Sequence, residues 1–495
     1  MNDLILVWPD VVYDLQERVG QSEVYIVGGA VRDALLRRPI HDLDMAVPSG
    51  GIALARRIAN QMRGAFVALD ADRDVGRAIL DTPDGRLLID VAGFRGSSIE
   101  ADLRDRDFTI NALAVDLRGD LNQVIDPLHG VRDLIGKTLR RCNPESIATD
   151  PIRGLRAVRQ SIQFSLRIEP ETLKDIRANV PRLLDTSIER VRDELFKLLA
   201  QSKPVAALRI ADRLGLLTTI IPELAPLHDL EQYAPVHAYD VWNHTLAVVE
   251  SLSEILAVVS ARRTDETAAQ FNLGMFAVAL DVYRRQLQAH FDHEWPEGRT
   301  HVALLLLTAL LHDIGKGMVT PRPNEENQPR FPDHEPVGAE AAAKRVEALH
   351  LSRDEQTLVV HLVRFHYGET LWQAELSPVD IYRYWKRHGE AGIDLIMLAL
   401  ADYLGAKGVN YDQKVWLGLV ERAQTLLRAY YEEYERLVEP PVLINGNELM
   451  QALGLKPGPI VGELLERIRE AQVSGVVTTT DEALRLARDQ QNQRA

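Results

Sequence analysis

Residues 24–47 read VYIVGGAVRDALLRRPIHDLDMAV, an order that predicts a strand, a tight turn, a helix and a second strand. The first four residues are β-branched or aromatic, which is typical of a buried strand. Gly28 and Gly29 then permit a tight turn, and the amides at the start of the following helix are suited to phosphate. Asp42 and Asp44 lie two residues apart in the second strand, so their side chains face the same side of the sheet. This pair suits Mg2+ ions that bridge a triphosphate and an attacking hydroxyl, so the stretch favours phosphate chemistry over a solvated loop.

Two later motifs indicate which phosphate chemistry is meant. Residues 104–114 read RDRDFTINALA, and residues 150–159 read DPIRGLRAVR. Together with the Gly-Gly turn and the paired aspartates, they resemble the class II tRNA nucleotidyltransferases and bacterial poly(A) polymerases over about residues 20–220. Enzymes of that family add nucleotides to an RNA 3′ end without a nucleic-acid template, and protein side chains select the incoming base.

The resemblance implies a role for each matching residue. Asp42 and Asp44 would bind Mg2+ and carry catalysis, and Asp150 with Arg153 would read the edge of the base. The other nucleotide-binding residues that it implies are Gly28, Gly29, Arg32, Arg106, Asp107, Arg156 and Arg159.

A carboxylate paired with a guanidinium can select a base on chemical grounds alone. A carboxylate only accepts hydrogen bonds, and a guanidinium only donates them. Cytosine and adenine both present an exocyclic amine beside a ring-nitrogen acceptor, so Asp150 and Arg153 can read both and disfavour uracil and guanine. Arg153 and Arg156 are three residues apart and share a face of a helix. A simpler interpretation makes Asp150 an ordinary helix N-cap with Pro151 at the first helical position.

Two residues near these motifs leave their roles open. Thr149 stands where the family often has Glu. This difference leaves the base-reading Asp150 in place but puts a supporting contact beside it in question. Asp90 lies on another predicted strand and could approach the metal site as a third carboxylate or simply end the strand.

A second set of metal-binding residue types follows over about residues 235–405. Its spacing resembles the HD metal-dependent phosphohydrolase domain, in which a water activated by a divalent ion attacks a phosphoester. Such nitrogen and oxygen ligands suit Mn, Fe, Ni, Co or Mg, and the domain could also keep the fold without turnover. We interpret His237 and His361 as structural or exposed. The resemblance implies His244, His312, Asp313 and Asp402 as ligands of one ion and His334 and His366 as ligands of a second.

Composition limits the class of protein. A chain of 495 residues is too long for one ordinary core and suggests three or four domains. The single cysteine, Cys142, excludes an intrachain disulfide framework and fits a cytoplasmic location. The longest apolar run, 302–311, is too short for a membrane span, and the N-terminus lacks the basic start of a secretory signal.

The charge is unevenly distributed. The net charge is −15, yet residues 131–200 contain 14 Lys and Arg against 10 Asp and Glu, in the segment where the family binds nucleotide and the RNA end. Local basicity is what an RNA would meet. Residues 421–495 hold 9 basic against 12 acidic residues, which argues against a basic tail for tracking long RNA and favours tRNA.

We expect an α+β fold, with a mixed-sheet head followed by helices. The predicted strands cover Val24–Val27, Asp42–Val47, Phe66–Leu69, Arg77–Leu80, Leu87–Val91 and Ala112–Asp116, with a hairpin turn at Asp84-Gly85. Neck helices are predicted over Ile147–Leu166 and Ile188–Leu199. The loop 321–333 lies beside the HD residues and could gate a substrate or be a tolerated insertion. The predicted domains are a nucleotidyltransferase head (1–145), a helical neck (146–222), an HD domain (223–410) and a C-terminal helical region (411–495).

These features favour a tRNA nucleotidyltransferase that adds or repairs the 3′-terminal CCA from CTP and ATP. Its partners would be the tRNA 3′ end and the two nucleotides, without DNA or membrane, and the sequence does not determine the oligomeric state. CC-adding, A-adding and poly(A)-adding enzymes share the same motifs. A different alternative is an HD phosphohydrolase acting on terminal or cyclic phosphates of RNA, and a third is an RNA-binding scaffold that retains both folds.

Overall fold

The computed structural model describes residues 5–20, 22–83, 85–232, 238–259, 271–325 and 328–493. The chain divides into two compact units. The first contains Met1–Glu194 and Ala206–Ile220, and the second contains Leu195–Val205 and Ile221–Ala495. Two residues that carried sequence expectations, Asp84 of the predicted turn and His237, lie outside the described residues.

The first unit is built on seven strands: β1 Tyr25–Val27, β2 Asp42–Val47, β3 Ala65–Asp70, β4 Val75–Thr82, β5 Gly85–Gly93, β6 Ala114–Asp116 and β7 Val124–Ile125. Their order across the sheet is β3-β4-β5-β2-β1-β6-β7. β2 and β5 pair in parallel, and the other neighbours pair antiparallel. The predicted mixed sheet is therefore confirmed, and every predicted strand is present.

Strand β2 separates a hydrophobic core from an open face. Leu43 and Met45 are buried in the core, whereas Asp42 and Asp44 alternate with them and are exposed. This alternation follows from the two-residue period of a strand. It leaves the two carboxylates together on the face opposite the core.

The helices in residues 1–220 pack on both faces of the sheet and extend beyond it. They are α1 Asp10–Val19, α2 Gly29–Leu35, α3 Gly51–Gln61, α4 Ile99–Arg104, α5 Gly130–Ile135, α6 Ser146–Thr149, α7 Arg153–Gln163, α8 Pro170–Asn179, α9 Ile188–Leu199, α10 Pro204–Arg213 and α11 Leu216–Ile220. Side chains of α1, α2 and α3 contribute to the core. Two short strands, β8 Thr138–Leu139 and β9 Arg167–Ile168, pair in parallel beside α7.

The single helix predicted over Ile147–Leu166 is wrong, because α6 and α7 are separate. Asp150 ends α6 with φ −140° and ψ 89°, and α7 begins only at Arg153. A residue before proline is driven away from helical backbone angles, which explains the break ahead of Pro151. Asp150 is thus not the side-chain cap of α7, and its carboxylate is available for other contacts.

The second unit is helical, apart from two-residue strand pairs. Its α-helices are α12 Val241–Val259, α13 Phe271–Leu280, α14 Arg284–Phe291, α15 His301–Leu311, α16 His334–Ala348, α17 Arg353–Phe365, α18 Pro378–His388, α19 Ala391–Lys407, α20 Gln413–Glu432, α21 Gly446–Leu453, α22 Pro459–Val473 and α23 Thr480–Asn492. The strand pairs are β10 Glu294–Trp295 with β11 Arg299–Thr300, and β12 Arg322–Pro323 with β13 Pro329–Arg330.

Helices α12, α15 and α19 form the interior of the second unit. α15 and α19 are apolar on nearly all sides and almost entirely buried, as expected for helices surrounded by others. The last helices, α21 to α23, share a smaller apolar cluster. His361 on α17 is half-buried, and its Nε2 lies 2.9 Å from Nδ1 of His388, which fits a structural position. In the part of the chain that the structure describes, no helix combines the length and apolar character that crossing a bilayer requires.

Candidate active sites

A glycine turn after β1 shapes a cleft on the exposed face of the sheet. Gly28 has φ 75° and ψ −132°, a backbone conformation that strains any residue with a side chain. A Cβ at this position would lie 2.7 Å from Nη1 of Arg106 and 3.6 Å from Oδ2 of Asp44. Glycine therefore serves both the turn and the open space beside the carboxylate.

A cavity of about 220 Å³ opens next to this turn and gathers residues from all the quoted motifs. Two of its lining residues, Arg95 and Asn111, were missed by sequence reasoning. Asn111 lies within the 104–114 motif and could have been found there, whereas Arg95 belongs to a loop without a motif. The lining residues are Gly28, Gly29, Arg32, Asp44, Arg95, Arg106, Asp107, Asn111, Arg153 and Arg156.

Asp42 and Asp44 are suited to hold a divalent cation. Within the described residues, neither carboxylate receives a hydrogen bond from another side chain. Asp44 is exposed towards the cleft, yet the protein around it withdraws water and raises its pKa. Arg106 and Arg95 oppose that rise, and the negative charges of Asp90 and Asp42 add to it. A bound cation would relieve this repulsion, and carboxylate oxygens are the ligands that Mg2+ prefers.

Asp90 lies beside this pair and has a cationic partner of its own. It is opposite Asp44 in the parallel register of β2 and β5. Arg77 donates from Nε to Oδ1 at 2.7 Å and from Nη2 to Oδ2 at 2.8 Å. Both oxygens accept from Arg77 and keep lone pairs in other directions, so Asp90 is held beside the pair, and its part in metal binding stays a prediction.

Arg32 provides a fixed positive charge in the cleft. Its guanidinium is buried, donates from Nε and Nη2 to Asp33 at 3.0 and 2.9 Å, and donates from Nη1 to the side chain of Asn111. The same group stacks on the ring of Phe164, 4.1 Å from the centroid. These contacts fix the cation before any ligand arrives.

Arg106 and Asp107 are also held by neighbours. Nε of Arg106 donates to Oδ2 of Asp102 at 3.1 Å, Nη2 lies at the same distance from that oxygen, and Nη1 lies beside the glycine turn. Oδ1 of Asp107 accepts from the backbone amide of Phe108 at 2.8 Å and from Nδ2 of Asn111 at 3.0 Å.

The structure brings Asp150 and Arg153 together, with Nε of Arg153 at 3.9 Å from Oδ2 of Asp150. Arg153 is buried, and its terminal nitrogens donate to the backbone carbonyls of Asp105 at 3.0 Å, Arg106 at 3.3 Å and Ser146 at 3.2 Å. Among the described residues, none is a hydrogen-bond partner of Nε of Arg153. Arg153 lines the cavity beside Arg156, whereas Asp150 lies next to that lining.

Helix α9 supplies partners that the motifs did not indicate. Nη2 of Arg190 donates to both carboxylate oxygens of Asp150, at 3.0 and 2.8 Å. Glu194 accepts from Nε of Arg159 at 2.5 Å and lies 3.9 Å from Nε of Arg156. Arg156 lines the cavity, whereas Arg159 does not line it and is held by Glu194.

The second unit contains a compact cluster of the predicted HD residues. His244 lies on α12, His312 and Asp313 follow the end of α15, and Asp402 lies on α19. Nε2 of His244 is 3.1 Å from Oδ1 of Asp402 and 3.4 Å from Oδ2 of Asp313, and Nε2 of His312 is 3.3 Å from the same oxygen of Asp313. Four side chains from three helices therefore converge as the sequence predicts.

The orientation of the histidine rings fits metal binding. In His312, His334 and His366, Nδ1 lies 2.7 to 2.8 Å from the carbonyl oxygen three residues earlier. A carbonyl only accepts, so Nδ1 carries the proton and Nε2 presents a lone pair. Nε2 of His334 and of His366 lie 3.3 and 3.6 Å from Oδ1 of Asp313. The cluster can hold one divalent ion and has two more imidazoles for a second.

Charge coupling inside this cluster is strong. Burial raises the pKa of Asp402, but His244 and His312 outweigh it and hold the pKa below the usual range. Burial lowers the pKa of His244, whereas Asp313 and Asp402 raise it to about 9. Lys316 lies 2.6 Å from Asp313 and adds a buried positive charge that sequence reasoning did not single out.

A cavity of about 1040 Å³ opens onto this cluster. The described residues of the loop 321–333 line it through the β12–β13 hairpin, so this loop does border the site. Tyr367 and Trp372 are exposed in its wall, with stacked rings 6.1 Å apart. The basic residues in the wall are Lys316, Arg322, Arg330 and Lys407.

A further group of potential ligands, absent from the sequence predictions, is a hydrogen-bonded triad. Nε2 of His290 and of His301 lie 2.8 and 2.9 Å from Oδ1 of the buried Asp394. Trp295 lies 3.2 Å from Nδ1 of His301, and an indole can only donate. Nε2 of His301 therefore carries the proton towards Asp394 and offers no lone pair to a metal.

Four stretches of the chain match known protein families. Residues 24–140 match the poly A polymerase head domain, 165–227 match the RNA- and SrmB-binding site of polymerase A, 241–407 match the HD domain, and 337–487 match tRNA nucleotidyltransferase domain 2. The head match contains Asp42, Asp44 and Arg106 but ends before Asp150, Arg153 and Arg156, whereas the HD match contains the whole cluster from His244 to Asp402.

Similar proteins extend over nearly the whole chain. The A-adding tRNA nucleotidyltransferase of Deinococcus radiodurans is 31% identical over 463 residues, which cover 92% of this chain and 93% of that protein. The CC-adding tRNA nucleotidyltransferase of Geobacter sulfurreducens is 30% identical over 471 residues, covering 94% and 92%. A solved CCA-adding enzyme in complex with ATP has the same fold, with a TM-score of 0.62 at 22% identity and coverage of 98% and 96%.

Proposed function

The chain belongs to the tRNA nucleotidyltransferase family, and we propose that it adds or repairs the 3′-terminal CCA of tRNA from CTP and ATP with release of pyrophosphate. The observation that carries the proposal is the cleft in which the glycine turn, Asp44 and several arginines meet. A triphosphate needs cationic side chains and a divalent ion, and this cleft offers both. Because tRNA and nucleoside triphosphates are its substrates, we infer that the protein acts in the cytoplasm.

The residues of the cleft divide the work of nucleotidyl transfer. Mg2+ at Asp42 and Asp44 would lower the pKa of the RNA 3′ hydroxyl and neutralise developing charge. Arg32, already fixed by its neighbours, would hold the triphosphate as the hydroxyl attacks the α-phosphate and pyrophosphate leaves. Arg106 lies within contact distance of the glycine turn and would bind the same phosphates. Within this proposal, no side chain needs to act as a general base.

Base selection is proposed for Asp150 and Arg153. The carboxylate would accept from the exocyclic amine of cytosine or adenine, and Nε of Arg153, which has no hydrogen-bond partner in the described part of the chain, can donate to the ring nitrogen. Uracil and guanine present the opposite pattern and would leave these groups unpaired, which is costly in a site that excludes water. Arg156 and Arg159 would support this site.

A narrower specificity is a second candidate, because two relatives matched over nine-tenths of their length are A-adding and CC-adding enzymes. The test uses purified protein, Mg2+ and tRNAs that end before CCA, after C or after CC. Each nucleoside triphosphate is offered alone, and CTP and ATP are offered together. Completion to CCA on all three tRNAs supports the full activity. Addition that stops at CC, or of a single A only on the CC end, identifies a specialised enzyme, and no incorporation refutes the proposal.

We further propose that the second unit is a metal-dependent phosphohydrolase acting on terminal or cyclic phosphates of RNA. Its support is the ligand cluster of His244, His312, Asp313 and Asp402 beneath an open cavity. A divalent transition metal or Mg2+ would supply Lewis acidity towards the phosphoester. The wall combines four basic residues, which suit phosphate, with five acidic ones that include the proposed ligands Asp313 and Asp402, and its exposed aromatic rings suit a nucleobase.

The hydrolase proposal is tested with RNA oligonucleotides that end in a 2′,3′-cyclic phosphate or a 3′-phosphate. The protein is freed of metal and then supplied separately with Mn2+, Co2+, Ni2+ or Mg2+. Opening of the cyclic phosphate to a monophosphate, or release of phosphate from the 3′-phosphate end, supports the proposal if it occurs with any of these ions and is lost in Asp402→Ala. Equal hydrolysis by the variant would point to a contaminating enzyme, and no hydrolysis of either substrate with any ion would indicate a domain that keeps the fold without turnover.

A further inference from the structure

One face of α9 contacts the side chains proposed for base selection without lining the cavity itself. Arg190 and Glu194 are one helical turn apart and project from the same face. Arg190 binds Asp150, and Glu194 binds Arg159, so each of these two charges meets an opposite charge. The separations along the chain are 40 and 35 residues, so these are tertiary contacts.

Asp150 depends on such a contact for its orientation. It lies in the break between α6 and α7, where its backbone is non-helical and its carboxylate caps neither helix. The nearest nitrogen on its own segment, Nε of Arg153, is 3.9 Å away, beyond hydrogen-bond distance. Nη2 of Arg190 bridges both carboxylate oxygens at 3.0 and 2.8 Å. This bridge restricts rotation of the carboxylate about its side-chain bonds.

The bridge leaves Asp150 able to accept another hydrogen bond. An ionised carboxylate has about four lone-pair positions, and Arg190 uses one on each oxygen. The remaining positions can accept from the exocyclic amine of a base. Arg190 is about half exposed and, like Asp150, is not among the residues that line the cavity, so its bond to Asp150 is the contact through which it would act on the base.

We propose that Arg190 is a positioning residue for nucleotide selection, which holds the carboxylate of Asp150 in the orientation that accepts the amine of cytosine or adenine. This inference rests on the proposed nucleotidyl transfer and extends it to a residue outside the cleft. A freely rotating Asp150 would still be charged but would discriminate poorly. Arg190 should therefore affect the choice of nucleotide more than the chemical step.

The expected effect is a loss of selectivity. In Arg190→Met, kcat/KM for the correct nucleotide should fall about tenfold, mainly through KM, because one charge-assisted contact is lost. Incorporation of UTP and GTP should fall much less, so the ratio of correct to incorrect incorporation narrows. Arg190→Lys keeps the charge and can reach one oxygen, so it should restore part of the ratio.

The test measures kcat/KM for all four nucleoside triphosphates on tRNA in a double-mutant cycle of Arg190→Met and Asp150→Asn. If Arg190 acts through Asp150, the double variant is no less selective than Asp150→Asn alone. Lys197→Met is the matched control, because it removes an exposed cation two turns further along the same helix. Thermal unfolding of each variant separates a positioning effect from misfolding.

Three outcomes decide between the possibilities. Narrowed selectivity in Arg190→Met with a non-additive cycle supports the proposal. Unchanged selectivity, or losses in the two single variants that add, overturns it while the transferase proposal stands. Absence of tRNA extension by both the wild type and Lys197→Met refutes the proposed function, and the inference falls with it.

Discussion

Replacing Gly28 with alanine tests the cleft with the smallest possible change. The substitution adds one carbon atom and leaves every charged residue in place. Its Cβ would lie 2.7 Å from Nη1 of Arg106 and 3.6 Å from Oδ2 of Asp44, in the space proposed for the triphosphate. We expect Gly28→Ala to lose nucleotide addition although no proposed catalytic group has been removed.

The expected effect of Gly28→Ala has two parts, a loss of stability and a loss of activity. The backbone conformation, φ 75° and ψ −132°, costs a residue with a Cβ about 1–3 kcal/mol of stability. In addition, the guanidinium of Arg106 must move, although Asp102 holds it at 3.1 Å. Loss of one charge-assisted phosphate contact is worth about 1.5–3 kcal/mol, which corresponds to about 10- to 150-fold in kcat/KM.

Gly20 provides a control for the backbone part. It ends α1 with φ 59° and ψ −130°, nearly the conformation of Gly28, and a Cβ there would meet no atom within 4 Å. Gly20→Ala therefore measures the backbone part alone, and Gly28→Ala should lose at least as much unfolding free energy in urea titrations. Only Gly28→Ala should lower kcat/KM for CTP and ATP in tRNA extension. Equal activity of the two variants would refute the assignment of this cleft to the triphosphate.

Three further predictions address the two units separately. Asp42→Ala should abolish nucleotide addition and retain metal-dependent phosphate release, and Asp313→Ala should do the reverse; loss of both activities in either folded variant would contradict two independent sites. Glu355→Ala should destabilise the second unit by about 3 kcal/mol in urea unfolding, because it removes the two bonds of 2.7 and 2.8 Å to the buried Arg299 and leaves that guanidinium only its bond to Glu297; a loss below about 1 kcal/mol would contradict this reasoning. Burial lowers the pKa of His290, but its carboxylate neighbours outweigh burial and raise it above 6.5. The stability that this histidine contributes should be complete below about pH 6.5 and be lost as pH rises through the raised pKa, so the difference in unfolding free energy between wild type and His290→Gln should shrink over that range. If the difference in unfolding free energy between wild type and His290→Gln instead grows with pH, the raised pKa of His290 is refuted.

Sequence reasoning succeeded where a chemical role is tied to local backbone. The pair Asp42 and Asp44 could be placed on one face because the side-chain period of a strand is fixed. The Gly-Gly turn could be located because few other residues accept its conformation. Asn111 lies within the 104–114 motif and was overlooked. Its side-chain amide can both donate and accept hydrogen bonds, so it could have been predicted as a partner of the nearby Arg106 and Asp107.

Other features could not be predicted because their partners are distant in sequence. Arg190 meets Asp150 across 40 residues, and nothing in the α9 sequence distinguishes Arg190 from its other cations. The triad of His290, His301 and Asp394 likewise has no characteristic spacing. The break between α6 and α7 was predictable in principle, because Pro151 disfavours a helical Asp150, but the apolar period continues across it and indicated one helix.

The two centres differ in how they should retain metal. Asp42 and Asp44 are exposed carboxylates, and Mg2+ in such sites is typically completed by water and substrate phosphates. His244, His312 and Asp313 are almost fully buried and offer both nitrogen and oxygen ligands, which suits an ion that remains with the protein. After brief treatment with a chelator and desalting, Mg2+ should restore nucleotide addition at once. Phosphate release should persist through the same treatment or return only slowly with added metal. The rate of metal exchange should therefore distinguish the two activities, independently of the mutations.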